Sequence, residues 1–177
     1  MKIAILKERR PHETRVAATP ETVKKLKALG AEEIVIEAGA GLAAAYTDEA
    51  YAEAGASIMP DAASAVAAAD IIFKIQRPMS AAEGIDEIGL LRTGQTLMSP
   101  LGALNNPELV AALATRGVTS FALELIPRIT RAQSMDILSS QANLAGYKSV
   151  LLAANNFGRI FPQMMTPGGT LAPARAF

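Results

Sequence analysis

Short β-rich apolar runs alternate with helical-period segments along the first two thirds of the chain. Residues 3–6, 34–37, 57–59, 71–75, 96–99 and 119–123 read as strands. The first helix between them opens at Thr19-Pro20-Glu21, an N-cap followed by proline at the first helical position. It carries Val23, Leu26 and Leu29 on one face and closes at Gly30. Further helices open at Thr47-Asp48, near Pro60-Asp61 and at Asn106-Pro107-Glu108, with Gly55 and Gly117 as terminators. This alternation predicts an α/β fold: a mainly parallel sheet with helices on both faces, in the layer architecture shared by Rossmann-like and flavodoxin-like domains. Strand order does not follow from spacing.

After Arg131 the pattern changes. Residues 134–154 read as one long helix with Leu138, Ala142, Ala145 and Leu152 on one stripe, widened by Ile137, Leu144 and Leu151. The expected organisation is an α/β domain over 1–131, a long linking helix and extension over 132–165, and a connecting segment over 166–177.

Composition narrows the chemistry. Seventeen basic and 17 acidic residues cancel, which gives no electrostatic footprint for nucleic acid. No cysteine is present and His12 is the one histidine, so no disulfide, thiolate or multi-histidine metal site is expected, and no metal is assigned. No apolar run approaches the roughly 18 residues of a membrane span. The opening strand followed by charge is not a signal peptide, and the expected location is cytoplasmic.

Four features invite a functional reading. Gly39-Ala40-Gly41 follows the second strand, with Asp61 about twenty positions on, in the manner of a dinucleotide fingerprint. A phosphate loop, however, runs directly into a helix, whereas the next helix start here is Thr47-Asp48, where Asp48 would repel phosphate. The glycines therefore read as a small-residue loop. Lys7, Glu8, Arg9, Arg10 and Arg15 follow the first strand, where ligands gather in open sheets, and His12 reads as a surface turn. Lys74 lies in an apolar run. It either meets an anion or a cleft within the sheet, or sits near the strand end and reaches water. Residues 124–136 carry Arg128, Arg131, Gln133 and Asp136 from a strand end into a helix. Arg128 is placed to pair with Asp136, with Ser139 one turn beyond and Gln133 left for an external partner.

Met1-Lys2-Ile3-Ala4-Ile5, Lys7-Glu8-Arg9-Arg10, Arg15-Val16-Ala17, Glu37-Ala38-Gly39-Ala40-Gly41 and Ala54-Gly55-Ala56 resemble the alanine dehydrogenase and nicotinamide nucleotide transhydrogenase family. Lys74-Ile75-Gln76-Arg77-Pro78, the segment from Arg128 to Asp136 and the run from Ser139 to Tyr147 are similar to its transhydrogenase branch. In the other branch Arg15 and Lys74 correspond to residues gripping a substrate carboxylate, and a catalytic histidine follows the strand at 96–99. Here that stretch reads Ser99-Pro100-Leu101-Gly102. Without this acid/base group, amino-acid dehydrogenation is the weaker expectation. A non-enzymatic dimerisation module built on the apolar long helix is a third.

The resemblance implies a role in hydride transfer from NADH to NADP⁺ coupled to proton translocation. Arg128, Ile129, Gln133, Met135, Asp136 and Ser139 would hold the nicotinamide end of NAD(H). Gln133 would also reach NADP(H) on a partner subunit. The expected partners are a second copy of the chain and NADP(H)-binding and membrane-spanning subunits, with this chain peripheral to the inner membrane. Family members continue past a segment like Pro173-Ala174-Arg175-Ala176-Phe177 into a strand and a glycine-rich phosphate loop. The chain alone is therefore expected to be inactive and to bind NADH weakly.

Overall fold

A computed structural model of the chain describes residues 1–175. It divides into two compact units, Met1–Ile126 and the residues from Pro127 onward. No helix among the described residues is long and apolar enough to cross a membrane.

The first unit is built on β1 (Lys2–Ile5), β2 (Glu33–Glu37), β3 (Ser57–Met59), β4 (Ile71–Phe73), β5 (Thr96–Ser99) and β6 (Thr119–Ala122). All neighbours pair in parallel, in the order β3-β2-β1-β4-β5-β6. The helices are α1 (Pro20–Ala28), α2 (Asp48–Glu53), α3 (Ala62–Ala67), α4 (Glu87–Leu90) and α5 (Pro107–Thr115). Side chains alternate along each strand, so each buried strand feeds two cores. Ile3, Ile5, Ile34 and Ile36 pack with Val23 of α1 and Tyr51 of α2 on one face. Ala4, Val35, Ile72 and Leu97 pack with Val66 of α3 and Leu113 of α5 on the other. Right-handed crossovers explain the division. The chain runs outward from β1 to β3 under α1 and α2, then crosses back through α3 to β4 and runs outward the other way. Winding reverses between β1 and β4, which makes their carboxyl ends the topological switch point.

Local signals account for the helix ends. Thr19, Thr47 and Asp61 each accept a backbone N–H from the first turn of α1, α2 and α3. Gly30, Gly55 and Gly117 follow their helices with φ of 95°, 92° and 67°, a conformation that favours glycine. Leu29 departs from the expected core face: it stands past the last turn of α1 and is 81% exposed. β4 stops at Phe73, leaving Lys74 at the strand's carboxyl end.

The second unit holds α6 (Ile137–Asn156) and a hairpin of β7 (Met164–Thr166) and β8 (Gly169–Leu171). α6 starts three residues later than the periodicity predicts. Thr130–Met135 winds instead as a 3-10 helix, and Asp136 caps α6. None of the residues of α6 is buried, and Leu138, Leu144, Tyr147, Val150, Leu151 and Leu152 are all exposed. At 100° per residue these positions leave on all sides of the helix, so the apolar surface encircles it instead of forming one stripe. The hairpin occupies part of the stretch expected to be a plain connection. Pro167-Gly168 makes its turn, with Gly169 at φ 124°. Ala176 and Phe177 lie outside the described residues.

Candidate functional site

In the second unit the chain leaves Pro127 and turns through the 3-10 helix into α6. Arg128, Ile129, Thr130, Gln133, Asp136 and Ser139 line an open cavity of about 330 Å³. Five of the six residues expected for cofactor binding thus share one depression, and Thr130 joins them. Met135 does not line it and is 56% exposed.

Asp136 organises this depression. Its carboxylate accepts the Ser139 N–H at 2.9 Å and the Ser139 hydroxyl at 2.6 Å, while its carbonyl accepts the Ser140 hydroxyl at 2.9 Å. The hydroxyl and backbone of Ser139 hold the Asp136 carboxyl below its ordinary value, and the positive field of Arg128 adds to this. The expected Arg128–Asp136 ion pair does not form as a contact: among the described residues the carboxylate's hydrogen bonds go to Ser139, and Arg128 acts at longer range. The cavity therefore offers a guanidinium, a primary amide, two hydroxyls and one carboxylate already engaged. Such a lining recognises neutral amide and hydroxyl groups.

In the first unit, the basic cluster and Lys74 meet carboxylates of their own chain. Lys74 is 3% exposed, and its ammonium lies 2.9 Å from Glu87 and 3.3 Å from Glu8. Of the two readings left open for Lys74, the one in which it meets an anion is the one observed. Arg9 pairs with Glu37 and lies 3.5 Å from Glu87. Arg10 and Arg77 both bind Glu83 and pull its carboxyl down to about 2. Arg15 grips Glu13 through Nε at 2.8 Å and NH2 at 2.6 Å, and Gln76 donates to the same carboxylate at 2.6 Å. The Arg15 hydrogen bonds outweigh desolvation and hold Glu13 at about 2. Arg15 lines a small cavity with Lys7, Glu8, Glu13 and Gly39; Lys74 does not reach it. The two positions expected to share a carboxylate pocket are thus each occupied from within. His12 sits in an exposed turn at φ 66°.

Gly39 and Gly41 serve packing. The Gly39 N–H donates to Asp48 at 2.9 Å, so a carboxylate takes the position a phosphate would need. A Cβ on Gly41 would stand 2.5 Å from the Tyr51 ring. At the end of β5, the Ser99 hydroxyl donates to the Gln76 carbonyl at 3.0 Å. Beyond it, Glu124 accepts the Leu101 and Ala103 N–H groups at 2.9 Å each. Sequence reasoning missed Glu13, Glu87 and Glu124 as partners. An acidic residue whose partner lies across an irregular stretch of chain carries no periodic signal.

Comparison with known proteins agrees with this geometry. The family described as alanine dehydrogenase/PNT, N-terminal domain, matches residues 4–145. The first of the separately encoded pieces of NAD(P) transhydrogenase subunit alpha from Rhodospirillum rubrum is 57% identical over 175 residues, covering 99% of this chain and 45% of that protein. The crystal structure of a transhydrogenase from Sinorhizobium meliloti superposes with a TM-score of 0.87 at 48% identity, over 98% of this chain and 50% of the other. An L-alanine dehydrogenase structure follows with a TM-score of 0.78 at 30% identity, over 88% and 40%. The chain spans about half the length of the relatives it matches. The transhydrogenase resemblance read from residues 74–78 and 128–147 is thus matched by higher identity on that branch, and the chain belongs to the alanine dehydrogenase/PNT N-terminal domain family.

Proposed function

We propose that this chain is part of the NAD(H)-binding component of a proton-translocating NAD(P) transhydrogenase, which passes hydride from NADH to NADP⁺. The observation that carries this reading is the depression over residues 128–139, lined by an amide, hydroxyls and a guanidinium around a carboxylate already bound to Ser139. Hydride transfer between two nicotinamide rings moves a hydrogen nucleus with two electrons from one ring carbon to the other and releases no proton to the protein. Positioning is therefore the protein's contribution, and an unpaired base would only add side reactions. Arg128, Gln133, Asp136 and Ser139 hold the carboxamide and ribose, while Ile129 and Met135 supply apolar and backbone contacts. Gln133 is the residue that touches both nucleotides, the second being NADP(H) on a partner subunit. The 177-residue chain is read as a homodimer, peripheral to a membrane through its partners. The exposed apolar surface of α6 supports self-association.

The test is the protein carrying this chain, assembled with its NADP(H)-binding and membrane-spanning subunits in vesicles. NADH-dependent appearance of NADPH with accompanying proton movement is the expected result. No exchange, with alanine formed from pyruvate, ammonia and NADH, would replace this reading with an alanine dehydrogenase.

A further inference from the structure

The switch point between β1 and β4 is where open α/β sheets take their ligands. In this sheet that crevice is filled by the chain's own charges. Glu8, Glu37 and Glu87 face Arg9 and Lys74, which makes three carboxylates against two cations. Glu37, Glu87 and Lys74 are 5%, 3% and 3% exposed. A buried ammonium requires an anion at hydrogen-bond distance, because leaving it unpaired in a low-dielectric site is strongly unfavourable. The anion nearest Lys74 is Glu87, from α4, the short helix with no periodic signal in the sequence. One Glu87 oxygen accepts from Lys74 at 2.9 Å, and the other accepts the Met79 N–H at 2.9 Å, so the carboxylate is held from both sides. Glu8 is less well placed. Its Oε1 accepts the Ile75 N–H at 2.6 Å, while its Oε2 lies 3.3 Å from Lys74 with no hydrogen bond.

We infer that Glu87 is a built-in carboxylate ligand of Lys74, and that it closes the switch-point crevice of the first unit to anionic ligands. It is a specificity-determining residue. With Glu87 present, the excess negative charge repels both a pyrophosphate and a small carboxylate, although the strand order is one that commonly binds them. Removing the side chain beyond Cβ deletes a CH2–COO⁻ group, the size of acetate, and leaves Lys74 short of its best partner. The vacated space takes a small aliphatic monocarboxylate.

The experiment uses the 177-residue chain, its Glu87→Ala variant and the Lys74→Met/Glu87→Ala double variant. Thermal unfolding is followed in sodium acetate and in sodium chloride at equal ionic strength, with pyrophosphate as a separate arm. The unsubstituted chain is expected to show the same Tm in both salts. Glu87→Ala is expected to unfold earlier in chloride and to regain stability saturably with millimolar acetate, whereas the double variant shows no acetate response. If Glu87→Ala is unfolded in chloride, acetate restores its folded far-ultraviolet spectrum. An equal acetate response in the unsubstituted chain overturns the inference, as does its absence in Glu87→Ala, folded or unfolded. An undiminished response in the double variant does the same. Stabilisation of Glu87→Ala by pyrophosphate at lower concentration than acetate overturns the monocarboxylate assignment.

Discussion

Asp136 and Ser139 bind each other twice, through the Ser139 hydroxyl at 2.6 Å and its backbone N–H at 2.9 Å, so that one carboxylate starts α6 and shapes the candidate pocket. The Asp136 carboxyl is depressed in the folded chain chiefly by the Ser139 hydroxyl. The sign follows from linkage: this contribution is complete above the unfolded value of about 4 and is lost as pH falls through the lower folded value. Ser139→Ala is expected to raise the Asp136 midpoint, read from the carboxyl carbon shift in an NMR titration. An unmoved midpoint would assign the depression to other groups.

Gln133 lines the same depression with neither charge nor a strong base to offer. In the assembled complex, Gln133→Asn shortens the side chain by one methylene and keeps the amide. Single-turnover hydride transfer should slow at least about tenfold, while the NADH dissociation constant changes only a few-fold, as expected when near-attack positioning is lost. Unchanged single-turnover rates would remove Gln133 from the mechanism.

Gly41 and Tyr51 make a stability prediction independent of function. A Cβ at Gly41 would stand 2.5 Å from the Tyr51 ring and 2.8 Å from the Tyr46 carbonyl oxygen, which is backbone and yields little. Gly41→Ala should destabilise the first unit by about 1–3 kcal/mol through overpacking. Tyr51→Phe removes the hydroxyl that donates to the Ala18 carbonyl at 2.7 Å, and should cost about 1–3 kcal/mol by leaving that acceptor unpaired. Urea denaturation measures both, and losses under a few tenths of a kcal/mol would refute the packing account.

Glu13 sets an acid limit. Arg15 and Gln76 hold its folded carboxyl at about 2, against 4.5 ordinarily. Its contribution to stability is therefore full above pH 4.5 and disappears as pH falls from there through 2. Glu13→Gln should flatten the stability curve between those values while lowering stability at neutral pH. A parallel curve would mean that other carboxylates govern acid unfolding.

Self-association is predicted to run through α6. Leu144, Tyr147 and Leu151 follow one another at spacings of three and four and are 61%, 70% and 46% exposed. Leu144→Asp with Leu151→Asp should shift sedimentation toward the monomer, and a monomeric starting protein would dispose of the dimer.

The sheet was legible because its evidence is local. Each strand of the first unit is a short apolar run, and α1, α2, α3 and α5 are bracketed by Thr19, Thr47, Asp61, Pro107 and their trailing glycines. The absence of a phosphate loop at Gly39 was also readable, since Asp48 starts the next helix and binds the Gly39 N–H. Residues 128–139 were recognisable as a site because they lie together in the chain. α4 escaped notice because four residues are too few to show a period, and its Glu87 went with it.

By itself, then, the sequence determined the parallel α/β class, the helix boundaries set by capping, and the contiguous loop from Arg128 to Ser139. The tertiary structure alone decided the strand order and its switch point. It also decided which carboxylate each cation meets: Glu87 for Lys74, Glu13 for Arg15 and Glu83 for Arg77. The reason is physical. Capping and periodicity act over a few residues and leave a mark in the sequence, whereas a buried charge takes whichever partner the crossing chain delivers within hydrogen-bond distance.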